Sequence, residues 1–472
     1  MTAVSHKVAI IGGGITGSMV ASTLSELDPK IIIHVFDQGR SGVGGRTSHR
    51  IVTQKSHSSD RNKDSLDHDI LQWDHGCQFF RADTPKFQNV VQRWLQQSIV
   101  AEWKGTFLQS QNSGIDFFGL PSKPPFYVGI GGMHTIIRHL LYHTSPLIQV
   151  FSGHRIAKMN RNDETQKWSL SGITGPAAFH DTPIESITSK TVTQDSLQSF
   201  GNDYDVVVVT DVSSSTFEEW HRASAGVPSN IAQRVKDRVP SRIPLFTCLL
   251  ALDRPLLPQS VSAATFLDPT VWFAARSNSK PGLMDHLTCD CWTIVSTPEY
   301  AIQAIADTPM QDPVTGMFLP QDPEYLQRVP GHDLESAFRR LVASWMEPPE
   351  TELPQTVYRT AQRWGSAMPS TRRRQQMSNT AHMTQSMTPS NPVVTVSNVA
   401  YDPTGWDDLA PTRIESHDGT TTSYIADISQ MIFQAGDMVS QYTPGFEGAA
   451  ISGIDVAHEI HHQLKLKETS KS

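Results

Sequence analysis

Val8-Ala9-Ile10-Ile11-Gly12-Gly13-Gly14-Ile15-Thr16-Gly17 decides how the rest of the chain is interpreted. Four apolar residues bounded by glycines have the form of a strand buried on both faces. Gly12 permits a tight turn, and Gly14, with no side chain, lets the backbone come close to a pyrophosphate. Gly17 lets the following helix pack against the strand. The N-terminus of that helix, from Ile15 and Thr16 onward, offers N–H groups and a dipole to an anion. A second strand, Ile31-Ile32-Ile33-His34-Val35-Phe36, ends in Asp37. Asp37 lies about 20 residues beyond Gly17, the offset of a carboxylate that accepts ribose hydroxyls. A carboxylate there repels a 2′-phosphate. The spacing therefore predicts a dinucleotide site built on a β-α-β unit.

Two distant segments extend this expectation. Gly44-Gly45-Arg46 follows the second strand, and close to the end stand Phe433-Gln434-Ala435-Gly436-Asp437 and Glu447-Gly448-Ala449. Another buried strand, Tyr204 to Thr210, returns the chain to the same unit. The expected architecture is α/β, with a discontinuous Rossmann-like dinucleotide domain and an inserted α+β substrate domain on an antiparallel sheet. The dinucleotide domain is assigned to 1–90, 145–218 and 428–466, and the substrate domain to 91–144 and 219–369. Residues 48–66 and 370–427, polar and weakly periodic, are assigned to insertions.

With 472 residues, the chain is long enough for two domains. Its net charge of −8 leaves no electrostatic footprint for nucleic acid. The one basic run, Arg372-Arg373-Arg374, sits in a Ser/Thr/Gln-rich stretch and suits a solvated loop. No apolar run is long enough to span a membrane, and the first strand begins too early to leave room for a leader. Four cysteines make no disulfide framework in a chain of this size. A cytoplasmic setting is expected.

Taken together, the motifs resemble the flavin amine oxidase superfamily, and within it the renalase-type oxidoreductases. The likeness rests on Gly12–Gly17, Asp37, Gly44-Gly45-Arg46-Thr47, Asp74-His75-Gly76-Cys77-Gln78-Phe79-Phe80 and Tyr127 to Met133. Asn278-Ser279-Lys280-Pro281-Gly282 and the C-terminal motif complete it. Cys77 stands where the family has alanine. The resemblance implies FAD, held non-covalently because no cysteine lies near the C-terminal motif. It implies Arg46 at the pyrophosphate and flavin edge, Asp437 on a ribityl hydroxyl, and Gly76 and Gln78 along the ring. It also implies Gly448 and Ala449 at the helix start facing the flavin carbonyls, Gly436 in the preceding turn, and the Ile156 backbone at the adenine.

It further implies oxidation of 2- and 6-dihydro isomers of NAD(P)H, with O2 reduced to H2O2. Trp272, Trp292 and Trp364 are candidates to wall the nicotinamide, each of which could instead be core packing. Asn278 is a candidate for the carboxamide or for a turn, and His75 for tuning the flavin or for an ordinary polar contact. No catalytic acid or base is identified. Two alternatives stay open: an amine oxidase or other small-molecule flavin oxidoreductase, for which Lys280 is a poor match to the flavin-side lysine, and a non-catalytic flavin-binding module. His458-Glu459-Ile460-His461-His462 fits the zinc pattern H-E-x-x-H. It lies in the helix behind the flavin motif and lacks a third ligand downstream, so no metal is expected.

Overall fold

Val8–Ile11 carries no polar side chain because both of its faces are covered: Val8 and Ile10 belong to one apolar cluster, Ala9 and Ile11 to another. The computed structural model describes residues 6–39, 42–55, 68–109, 125–174, 197–210, 227–238, 241–283, 289–308, 322–345, 353–370, 423–440 and 445–470. The first strand, Lys7–Ile11, is central in a sheet ordered Tyr424–Asp427, Ile432–Ala435, Val206–Val209, Lys7–Ile11, Ile32–Asp37, Ile148–Ser152. All of its pairings are parallel except that of Tyr424–Asp427. Helix α1 (Ile15–Leu27) and the C-terminal helix (Phe446–Thr469) pack together on one face. A three-stranded antiparallel sheet, His154–Arg161, Trp168–Thr174 and Gln198–Tyr204, joins the cluster on the other.

The second large sheet is ordered Thr356–Ser370, Ser241–Leu252, Asp290–Ser296, Val271–Arg276, Val261–Thr265, Thr106–Gln109. Only its last pairing is parallel. One face, with Phe246, Cys248, Leu250, Ala274, Trp292 and Ile294, packs with residues of helices Pro298–Asp307 and Pro330–Val342, such as Ala301 and Phe338. Leu245, Ala263, Phe273, Ala275 and Val295 point the other way and join the large cluster shared with α1 and the C-terminal helix. The architecture is the expected α/β one.

Three boundary expectations are corrected. His49–Lys55, placed in the 48–66 insertion, is a strand paired with His68–Asp74. Its polar content reflects one solvent-facing side, while Val52, Leu71 and Trp73 pack on Leu249, Ala251 and Cys291. Tyr424–Asp427, placed in the 370–427 insertion, is the edge strand, held by the buried Tyr424 and Ile425. Helix α3 (His134–Tyr142), given to the substrate domain with 91–144, packs on α1 through an apolar stripe of Ile136, Ile137, Leu140 and Leu141. Ile148–Ser152 pairs parallel with Ile32–Asp37. The Arg372–Arg374 run and residues 371–422 of the second insertion lie outside the described residues.

Candidate flavin site

The glycine turn is built as its spacing requires. Gly12 has φ of 108° and donates its N–H to Phe36 O at 2.8 Å. A Cβ on Gly17 would lie 2.0 Å from Gly12 O, so helix and turn meet with no room for a side chain. Helix α1 has Gly14 as its N-cap and no side-chain cap there, so its first-turn N–H groups suit an anion. Asp37 is buried and accepts from Gly13 N and Gly39 N, each at 2.7 Å. It therefore sets the turn's shape, and a carboxylate has further lone pairs for ribose hydroxyls.

Beside this turn lies Gly44-Gly45-Arg46. Gly45 lies against Gly14: a Cβ on it would sit 3.7 Å from Gly14 Cα, an ordinary contact distance. Arg46 forks onto Asp437: Nη1 donates to Oδ2 at 2.8 Å and Nη2 donates to Oδ1. Nη1 also donates to Ala367 O at 3.0 Å. Asp437 is 2% exposed and also accepts from Gly445 N at 3.1 Å. Gly445 is the N-cap of the C-terminal helix and supplies no side chain to it. The sequence-predicted residues Gly14, Gly44, Gly45, Arg46, Gly436 and Asp437 are thus brought together from both ends of the chain. Ile15 and Thr16 open α1, and Gly448 and Ala449 lie in the first turn of the C-terminal helix. Ala449 N donates to Gly445 O at 3.0 Å, so the unspent N–H groups of that turn are the ones before it.

The 74–78 segment runs along Arg46. A Cβ on Gly76 would sit 2.2 Å from Arg46 O, and Cys77 N donates to the same oxygen at 2.6 Å. Gln78, expected along the flavin, turns its amide inward. Its Nε2 donates to Asp74 O at 2.5 Å and Gly76 O at 3.0 Å, and its Oε1 accepts from Lys280 Nζ at 3.1 Å. Those bonds hold its own segment. Ile156 is buried in the cluster behind the sheet, paired in register with Gly172.

Of the substrate candidates, Trp364 and His75 lie together near these groups, and Trp292 and Asn278 are turned away. Trp364 Nε1 donates to His75 O and to Thr247 Oγ1, both at 3.1 Å, and its ring lies 5.4 Å from the His75 imidazole. The strand that carries Trp364 continues to Ala367, whose carbonyl meets Arg46, so this edge of the second sheet overlies the cofactor residues. Trp272 is half-buried against the large cluster. Trp292 is 0% exposed, lies on the helix-covered face and donates Nε1 to Asp290 Oδ2 at 2.9 Å. It is core, because strand parity puts it opposite Thr293 and Val295. Asn278 is also corrected: its Nδ2 donates to Cys289 O at 2.9 Å and its Oδ1 accepts from Cys291 N at 2.8 Å, so both ends of the amide are spent on the backbone at the start of strand Asp290–Ser296.

His75 Nε2 pairs with Ser48 Oγ at 2.9 Å, and Nδ1 is buried without a partner among the described residues. Burial, reinforced by Arg50, lowers its pKa to about 4, so it is neutral at pH 7. Burial raises the Cys77 thiol to about 12, so it is no nucleophile. Glu447, part of the C-terminal motif, carried no assigned role in the sequence. It accepts from Asp83 N and Thr84 N at 2.8 Å and from Thr84 Oγ1 at 2.6 Å, tying the start of the C-terminal helix to the start of helix α2 (Pro85–Gln96). Thr247 and Ser48 were also missed, since hydroxyl contacts across 172 and 27 residues leave no local pattern. His458 and His462 are exposed, and no group of three metal-ligating side chains is found among the described residues. No described helix is long and apolar enough to cross a membrane.

The glycine turns, the two helix starts without side-chain caps and the Arg46–Asp437 fork fit a flavin dinucleotide. No family model matches the chain. Among solved structures, reduced UDP-galactopyranose mutase is similar over 98% of this chain and 94% of its own, at 11% identity and a TM-score of 0.53. Cyclohexylamine oxidase from Brevibacterium oxydans IH-35A is similar over 98% and 100%, at 12% identity and a TM-score of 0.51. At such identities the likeness is one of fold, and over nearly its whole length this chain has the two-part α/β fold of those two enzymes.

Proposed function

We propose that this chain is an FAD-dependent oxidoreductase that holds its cofactor non-covalently and oxidises a small planar donor, a 2- or 6-dihydro isomer of NAD(P)H, with O2 as acceptor. The observation that carries the cofactor assignment is the convergence of Gly14, Gly45, Arg46, Gly76 and Asp437 beside the two helix starts. When bound, FAD supplies hydride acceptance from a substrate carbon and transfer of the two electrons to O2, which leaves with two protons as H2O2.

The chain's own residues bind and orient. First-turn N–H groups of α1 take the pyrophosphate, and Asp37 takes the adenosine ribose. Asp437, held by Arg46, presents its carboxylate to the ribityl chain. The start of the C-terminal helix places its N–H groups at the flavin carbonyl edge, where they favour negative charge. Trp364, fixed by Thr247 and the His75 carbonyl, and Trp272 offer flat apolar surface to the donor. A dihydropyridine gains aromaticity on losing hydride, so stacking in a dry site serves it more than a base does. His75 and Cys77, both neutral at pH 7, suit an uncharged ring. The reading as an amine oxidase is favoured by the whole-length likeness to cyclohexylamine oxidase.

The test is anaerobic. Purified protein is mixed with chemically reduced NAD+ containing all three dihydro isomers, and flavin absorbance is followed. Bleaching by the mixture but not by 1,4-NADH is expected. A flavin that stays oxidised with the mixture but bleaches with cyclohexylamine moves the assignment to amines.

A further inference from the structure

Lys280 is wholly buried, as is its partner Asp74, and the ammonium lies 2.8 Å from Asp74 Oδ2. It donates to Gln78 Oε1 at 3.1 Å and stands 5.4 Å from the centre of the Trp103 ring. Asp74 is used on every side: Oδ1 accepts from Met133 N at 2.8 Å, and its carbonyl accepts from Thr293 Oγ1 at 3.0 Å and from Gln78 Nε2. The turn that carries Lys280 is itself docked. Gly131 N donates to Pro281 O at 2.9 Å, and Trp103 Nε1 donates to Ser279 Oγ at 3.0 Å. Three segments far apart in sequence, 74–78, 131–133 and 279–281, therefore meet at one buried charge pair.

We infer that Lys280 is a positioning residue for the flavin groove. Through Asp74 and Gln78 it sets the depth at which Gly76 and Cys77 lie against Arg46. The inference rests on the flavin assignment above. An ammonium that is spent on Asp74 and Gln78 inside the protein does not reach a substrate or oxygen. What it can do is hold the segment whose backbone lines the groove. Gln78 is the transmitting element, because its amide bonds Lys280 on one side and the carbonyls of Asp74 and Gly76 on the other. A buried pair that loses one member leaves an uncompensated charge, so the variants must avoid that.

The experiment uses the full chain loaded with FAD. The neutral double variant Asp74→Asn with Lys280→Met, the charge-conserving Lys280→Arg, and Gln78→Leu, which leaves the ion pair intact, are compared with wild type. The flavin's dissociation constant, visible spectrum and two-electron potential by dye equilibration are measured beside the melting temperature. Flavin affinity is expected to fall on the order of tenfold, with a shifted potential, in the double variant and in Gln78→Leu. Lys280→Arg should restore the wild-type potential. If Gln78→Leu and the double variant change only the melting temperature, the pair is a structural pin and the inference is overturned. Wild-type protein that takes up no FAD overturns the flavin assignment itself, a separate result.

Discussion

Removing Arg46 should cost far more than neutralising the residue it holds. Asp437 is 2% exposed, whereas Arg46 is 33% exposed. Arg46→Ala leaves the Asp437 carboxylate buried with, among the described residues, only the Gly445 N–H at 3.1 Å. An uncompensated buried charge costs about 3–5 kcal/mol. Asp437→Asn leaves a guanidinium that keeps Ala367 O at 3.0 Å and has access to water. That loss is about 1.5–3 kcal/mol, the scale of a hydrogen bond to a charged group. The asymmetry is thus about 2 kcal/mol. The double variant should be less destabilised than the sum of the singles by about 1–3 kcal/mol, since both changes act on one contact. Urea unfolding of the flavin-free protein, at constant m-value, measures all three. Equal costs for the two single variants, or strict additivity, would refute the view that Asp437 depends on Arg46 for its charge.

Three further outcomes follow from the same geometry. His75 and His134 are both pushed by burial to about 4, and His134 stacks on His49 with ring centres 3.4 Å apart. The unfolded chain then binds more protons between about pH 6.5 and 4. Stability is complete above that window and falls through it as pH drops, by up to about 3 kcal/mol per histidine. Unfolding midpoints against pH check this, and His134→Gln should flatten the curve. Gly76→Ala places a Cβ 2.2 Å from Arg46 O. The segment must shift, with a cost of about 1–3 kcal/mol and a measurable loss of bound flavin by absorbance. Trp364→Phe removes two hydrogen bonds and should slow flavin reduction. Trp292→Phe should lower the melting temperature and leave the reduction rate of the folded fraction unchanged, because Trp292 lies on the far face of its sheet.

The dinucleotide unit could be foreseen from local pattern, because its rules are short-range. A strand covered on both faces is an unbroken apolar run, a turn that admits no Cβ needs glycine, and Asp37 closes the next strand at a fixed offset. Gly44-Gly45-Arg46 and Gly436-Asp437 carry the same kind of signal, which is why residues 391 apart could be assigned to one ligand before their fork was seen. Only the tertiary structure decided the rest. Trp292 and Trp364 look alike in sequence, and strand parity on a sheet with two apolar faces puts Trp292 under the helices and Trp364 against His75. Asn278 and Gln78 look like ligand-binding amides until their partners are known: Asn278 bonds the backbone of Cys289 and Cys291, and Gln78 bonds the carbonyls of Asp74 and Gly76 and the Lys280 ammonium. Lys280 meets Asp74 across 206 residues. A charge pair at that separation has no periodicity to betray it, and its burial is set by the docking of three segments, which no single stretch of the chain encodes.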